Sequence, residues 1–164
     1  MNPHGVTVAK IIPLTLDGAE EATVVNDEVD MELFPFFEEE AQSELTAIEA
    51  VLHAWDHEPG NAQLKDLRRQ FHTLKGAANS IGHLRIGALA GGMKDALEDM
   101  PESHATPMRS QIIKTCIFVI GTVRALLKET RSPQFNAVKK EQVASTVQAI
   151  RRLQQMEEQL KGAA

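Results

Sequence analysis

Apolar residues return at three- and four-residue intervals through five separate stretches of this chain, and that spacing admits amphipathic helices and little else. The first stretch reads Phe34, Phe37, Ala41, Leu45, Ile48, Leu52 and Trp55. Glu58-Pro59-Gly60-Asn61 breaks the period, with Asn61 placed to cap the next helix. The second stretch then reads Leu64, Leu67, Phe71, Leu74, Ala78 and Ile81, and stops at Gly82. A third, Ile86, Ala90, Met93, Leu97 and Met100, is stopped by Pro101. Thr106-Pro107 is a suitable N-cap and first-turn pair for a fourth, Ile112, Cys116, Val119, Val123 and Leu126. Ser132-Pro133 opens the way to a fifth, Val143, Val147, Ile150, Leu153 and Leu160.

Short turns join the second to fifth stretches, which favours antiparallel neighbours. The chain has 164 residues and 43% hydrophobic content, enough for one core. Tyr is absent and aromatics make up 4%, so sheet-forming residues are scarce. The expected fold is all-α: an up-and-down antiparallel four-helix bundle with an additional C-terminal helix. Residues 1–28 mix Pro, Gly, Thr, Val and acids without either period, and read as a flexible tail or linker before a bundle at 29–162.

Charge excludes several functions. Residues 1–60 hold 14 Asp/Glu against Lys10 alone, whereas the rest holds 16 Lys/Arg against 9 Asp/Glu. These later cations are spread over several segments without interleaved aromatics, which argues against nucleic acid. Glu38, Glu39, Glu40, Glu44 and Glu49 lie off the apolar stripe and read as solvated. No uninterrupted apolar run approaches the roughly 18 residues of a membrane span, and the N-terminus lacks the pattern of a signal peptide. A cytoplasmic protein without membrane contact is expected. Cys116, the single cysteine, falls in an apolar run and reads as a small buried hydrophobe. His53 and His57 are spaced for one helix face, but two nitrogens make no closed zinc site, so no metal is expected. His4, His83 and His104 fall at tail or turn positions and read as solvated. No Walker loop or glycine-rich nucleotide lid is present, so the chain is not itself a kinase.

His72 differs from the other histidines. At 100° per residue it lies well away from the middle of the Leu67-Phe71-Leu74-Ala78 stripe, and should reach solvent. The same face carries Lys65, Arg68, Arg69, Lys75, Gly76 and Asn79, and no carboxylate is evident beside the imidazole. Such a face favours an anion. Gly76, one turn on, costs about 1 kcal/mol relative to alanine inside a helix. A missing side chain there lets a bulky partner approach the ring, while Lys75 can neutralise oxygens attached to it.

The run Phe71-His72-Thr73-Leu74-Lys75-Gly76-Ala77-Ala78-Asn79-Ser80-Ile81-Gly82 resembles the signature of histidine-containing phosphotransfer (HPt) domains. Helix one, Trp55, Pro59 and Leu67-Arg68-Arg69 extend the likeness to the HPt modules of chemosensory kinases, including those governing type IV pili, over roughly residues 30–130. The resemblance implies a four-helix bundle with His72 as phosphoacceptor, Lys75 as phosphoryl-oxygen partner and Gly76 as the clearance position. Lys65, Arg68, Arg69 and Asn79 would then meet the partner. Implied partners are receiver domains, which bring the aspartate and Mg²⁺, and kinase domains, which bring ATP; the module has no cofactor of its own. Chemotaxis-type members often place a His and a Glu on the third helix facing the phosphoacceptor. Here those positions read Gly91 and Lys94, with Glu98 one turn further. The rival expectation is an adaptor of the same shape that binds receiver or kinase domains without carrying phosphate.

Overall fold

The computed structural model describes residues 14–21, 28–132 and 140–163. Its helices are α1 (Leu16–Glu21), α2 (Phe34–His57), α3 (Gln63–Ser80), α4 (Leu84–Glu98), α5 (Glu102–Arg131) and α6 (Lys140–Gly162). No strand occurs among the described residues. Helices α2 to α5 close a ring in which α2 packs on α3, α3 on α4, α4 on α5 and α5 on α2, the antiparallel bundle expected; α6 lies against α5 and α4. All five apolar stripes point inward, from Phe34 to Trp55 on α2 through to Val143, Val147, Ile150 and Leu153 on α6.

Helix α4 is the hub. Residues Arg85 to Met93 are buried without interruption, as expected of a helix covered on every side. Its Gly87, Ala88, Ala90, Gly91 and Gly92 let neighbours approach the backbone closely. One such neighbour is α1, inside the segment read as a tail. Ala19 is fully buried, Leu14 and Leu16 pack on the core, Leu16 fills the space over Gly92, and Asp17 pairs with Arg151 of α6. One apolar turn suffices to dock because Gly92 offers a notch, although six residues are too few to show a sequence period.

The turns also depart from expectation. Asn61 does not cap α3, whose N-cap is Ala62 without a side-chain bond. Instead the buried Asn61 amide donates to the Glu102 carbonyl at 3.0 Å and to Thr106 Oγ1 at 2.9 Å, and its oxygen accepts from Trp55 Nε1 at 3.2 Å. Helix α5 starts four residues before Thr106, at Glu102 with Pro101 as N-cap, so Pro107 lies inside the helix. Both Pro107 and Ser103, whose carbonyl the ring cannot serve, are exposed, so water can take that carbonyl. Ser132 terminates α5, and Pro133 lies outside the described residues. His83 is fully buried, not solvated: its Nε2 lies 2.8 Å from Thr130 Oγ1. His104 is half-buried beside Glu157 at 3.3 Å, and His4 lies outside the described residues.

Helix α5 is long and apolar enough by length and composition to cross a membrane, with mean hydropathy 1.5 over its best window. Half of that window is buried in the bundle, the pattern of a core helix. Burial also pushes the Cys116 thiol well above its ordinary range, as befits a core residue.

Candidate functional site

Helix α3 positions the candidate site. Its stripe buries Leu64, Leu67, Phe71, Leu74 and Ala78 and turns His72 to solvent near mid-helix. The helix ends at Gly82, where φ is +81° and a Cβ would collide with the Glu28 carbonyl. Only glycine allows that approach. Asp30 N–H also donates to the Ile81 carbonyl at 2.8 Å, so the segment entering α2 is tied to the α3–α4 turn.

Around His72 the structure gathers Lys65, Arg68, Arg69, Lys94 and Glu98 into an open concavity of about 410 Å³. Four cations surround one imidazole, and a carboxylate is present after all: Glu98 faces the same concavity. Lys94 Nζ lies 2.9 Å from Glu98 and 3.7 Å from Asp95. The Lys94 hydrogen bond holds the Glu98 carboxyl below its usual range, with a smaller contribution from the nearby Arg68 charge. Hydrogen bonding to Glu98 correspondingly raises Lys94. Arg68 is half-buried and donates to the carbonyls of Leu97 at 3.2 Å and Glu98 at 2.9 Å, closing the C-terminus of α4. Arg69 pairs with Asp66 at 3.4 Å, and Lys65 is exposed.

The other residues singled out in the sequence fall on two sides of this concavity. Gly76 faces α2. A Cβ placed there meets nothing within 4 Å, and Gly76 lines a groove of about 470 Å³ with Leu33, Phe36, Thr73, Ala77 and Ser80. Phe36 is 72% exposed on the rim, and Leu33 and Met31 are 47% and 55% exposed. The sequence did signal these residues, because Leu33 and Phe36 are apolar yet each sits one position before a stripe residue, Phe34 and Phe37, and so off the buried face. Lys75 and Asn79 face α4 and are half-buried. The Lys75 alkyl stem crosses Gly91, where a Cβ would sit 3.2 Å from its Cδ; Asn79 presses on Gly87 with its Oδ1 buried and unpartnered. Lys75 lines a cavity of about 350 Å³ with α1, Asp95 and Arg151, not the concavity around His72.

Helices α3 and α4 therefore run in antiparallel register. Asn79 meets Gly87, Lys75 meets Gly91 and Arg68 meets Glu98. Counting back along α3 from Lys75 by three while advancing along α4 from Gly91 by three sets His72 opposite Lys94.

The His53 and His57 rings meet at a 45° tilt with centroids 4.6 Å apart, and His57 Nδ1 lies 2.9 Å from the His53 carbonyl. No group of three or more His, Cys, Asp or Glu is arranged for a metal among the described residues.

The family model for the Hpt domain matches residues 32–133, well over half of the chain. No curated protein and no solved structure matches.

Proposed function

Since the chain belongs to the Hpt family, we propose that it carries a phosphoryl group on His72, taking it from a receiver aspartyl-phosphate or a kinase domain and passing it to a receiver. Hpt domains serve histidine phosphotransfer in phosphorelays, generally as carriers and not as catalysts, and they work with receiver and kinase domains. The observation that carries the assignment to His72 is its position: exposed in mid-helix, inside a basic concavity, one turn from a glycine that leaves the approach open.

The chemistry depends on that position. One neutral imidazole nitrogen attacks phosphorus, and the N–P bond forms as the bond from phosphorus to the aspartyl oxygen breaks. The carboxylate leaves with the electron pair, and the ring keeps the proton on its other nitrogen. Such in-line transfer needs alignment and charge neutralisation above all, and a rigid helix flanked by cations supplies both. Mg²⁺ comes with the partner.

The groove beside Gly76 gives the receiver a place to dock. The exposed Phe36 and Leu33 line this groove with Thr73 and Gly76, next to the acceptor, while Lys65 and Arg69 offer charge on the other side. Arg68 and Asn79, engaged with α4, act on the partner through the shape of α3. We assign a cytoplasmic location, as befits a relay fed by soluble domains. The narrower placement among chemosensory kinases rests on the motif likeness.

The test is to mix the protein with a panel of phosphorylated receiver domains and follow acid-labile label. Wild type should acquire label and His72→Gln none. Label that persists in His72→Gln refutes the assignment, and receiver binding without any transfer would identify the inert adaptor.

A further inference from the structure

The resemblance gives Lys75 the task of neutralising the phosphoryl oxygens, but the helix register points elsewhere. Lys75 lies over Gly91 and lines the cavity on the α1 side. Lys94 stands opposite His72 and lines the same concavity. We propose that Lys94 is the cation that receives the phosphoryl group on His72, and that Glu98 holds it in place until the group arrives. The proposal rests on His72 being the acceptor.

Three observations support this assignment. First, the register is fixed on both sides of His72, by Lys75 on Gly91 toward the α3–α4 turn and by Arg68 on the Glu98 carbonyl toward the other end. Neither helix can slide without losing both. Second, Lys94 is tethered, not free: its 2.9 Å pair with Glu98 one turn along α4 holds the ammonium at the edge of the concavity. Third, the tether is weak enough to exchange. The side chains of Lys94 and Glu98 are 22% and 48% exposed, and such partly solvated pairs are screened. A phosphoryl group brings about two negative charges and three acceptor oxygens, against one charge on Glu98, so Lys94 transfers to it. No bond to Lys94 forms. The ammonium changes its hydrogen-bond partner while the N–P bond is made, and the Glu98 carboxylate is released to water. Gly91 completes the arrangement by giving the Lys75 stem a channel away from the ring.

The experiment compares Lys94→Met, Lys94→Arg, Lys75→Met and Glu98→Gln in the full chain, with a phosphorylated receiver domain as donor and His72→Gln as control. Methionine keeps the stem and deletes the charge. Lys94→Met should slow acceptance roughly tenfold, below the loss seen for buried oxyanion donors because the site is open. Lys94→Arg should restore most of the rate, Lys75→Met should change it less than Lys94→Met, and Glu98→Gln should raise it. The ³¹P resonance of phosphohistidine should shift in Lys94→Met and not in Lys75→Met, a readout that a purely structural role would leave unmoved. Wild-type rate and ³¹P shift in Lys94→Met, with the loss falling on Lys75→Met, would overturn the proposal while leaving His72 as acceptor. Label in His72→Gln would instead overturn the reading on which it rests.

Discussion

Gly76 and Gly121 form a matched pair that separates what a helical glycine costs from what it allows. Each lies in a helix, each is exposed, and a Cβ at either meets nothing within 4 Å. Replacing either by alanine therefore meets no steric opposition and should recover the whole propensity difference, about 1 kcal/mol. For a chain of this size that raises the melting temperature by roughly 2–4 °C. Function should distinguish them, because Gly76 adjoins His72 and lines the groove beside it, whereas Gly121 is on α5 and lines neither that groove nor the concavity around His72. Phosphoryl transfer needs reacting atoms about 3–3.5 Å apart, so a side chain that holds the receiver off by even about 1 Å should cost on the order of 10²-fold in rate. Thermal melts, then transfer kinetics with a phosphorylated receiver, would check both halves. Gly76→Gln should melt no lower than wild type and transfer far more slowly, while Gly121→Gln melts alike and transfers normally. Wild-type transfer in Gly76→Gln, or an equal loss in Gly121→Gln, would refute close approach as the reason for the glycine.

Asn61→Ala should lower stability by about 2–4 kcal/mol, since two donated bonds to α5 and two accepted, from Trp55 and Arg109, disappear at about 1 kcal/mol each; urea unfolding measures this, and a loss under about 0.5 kcal/mol would show water replacing the amide. Leu16→Asp should release α1 from its notch over Gly92, seen as lost amide-exchange protection at residues 16–21 with α3 unchanged. Retained protection there would mean that the Asp17 pair with Arg151 and the buried Ala19 hold α1 without Leu16.

The core was legible because burial on a helix is periodic: every stripe residue from Phe34 to Leu153 reports the same fact to its neighbours three and four positions away. What joins the helices is not periodic. Asn61 next to a helix start has the composition of a cap, and only the arrival of Glu102 and Thr106 from α5 turns its amide away from α3. His83 comes directly after a turn glycine, as solvated residues often do, yet Thr130 of α5 and the Phe37 ring cover it. A single apolar turn such as α1 repeats too little to be read at all.

The site shows the same division in finer form. The angle between His72 and the apolar stripe predicts exposure, but a helical wheel measures distance from the core without saying which neighbour covers each flank. Lys75 advances 300° from His72 and Gly76 advances 400°, so they fall on opposite sides of it, about 60° and 40° away. Sequence reasoning placed both on one open face. In the structure, α4 covers the Lys75 side and α2 borders the Gly76 side. The decisive signal was present in α4 and not in α3. Gly87 and Gly91, four residues apart on a helix, mark where the side chains of a close neighbour lie, and Asn79 and Lys75 are the pair on α3 with the same spacing. Pairing them end to end fixes the register, and the register sets Lys94, a departure from the family pattern at a position that faces the phosphoacceptor in related domains, opposite His72.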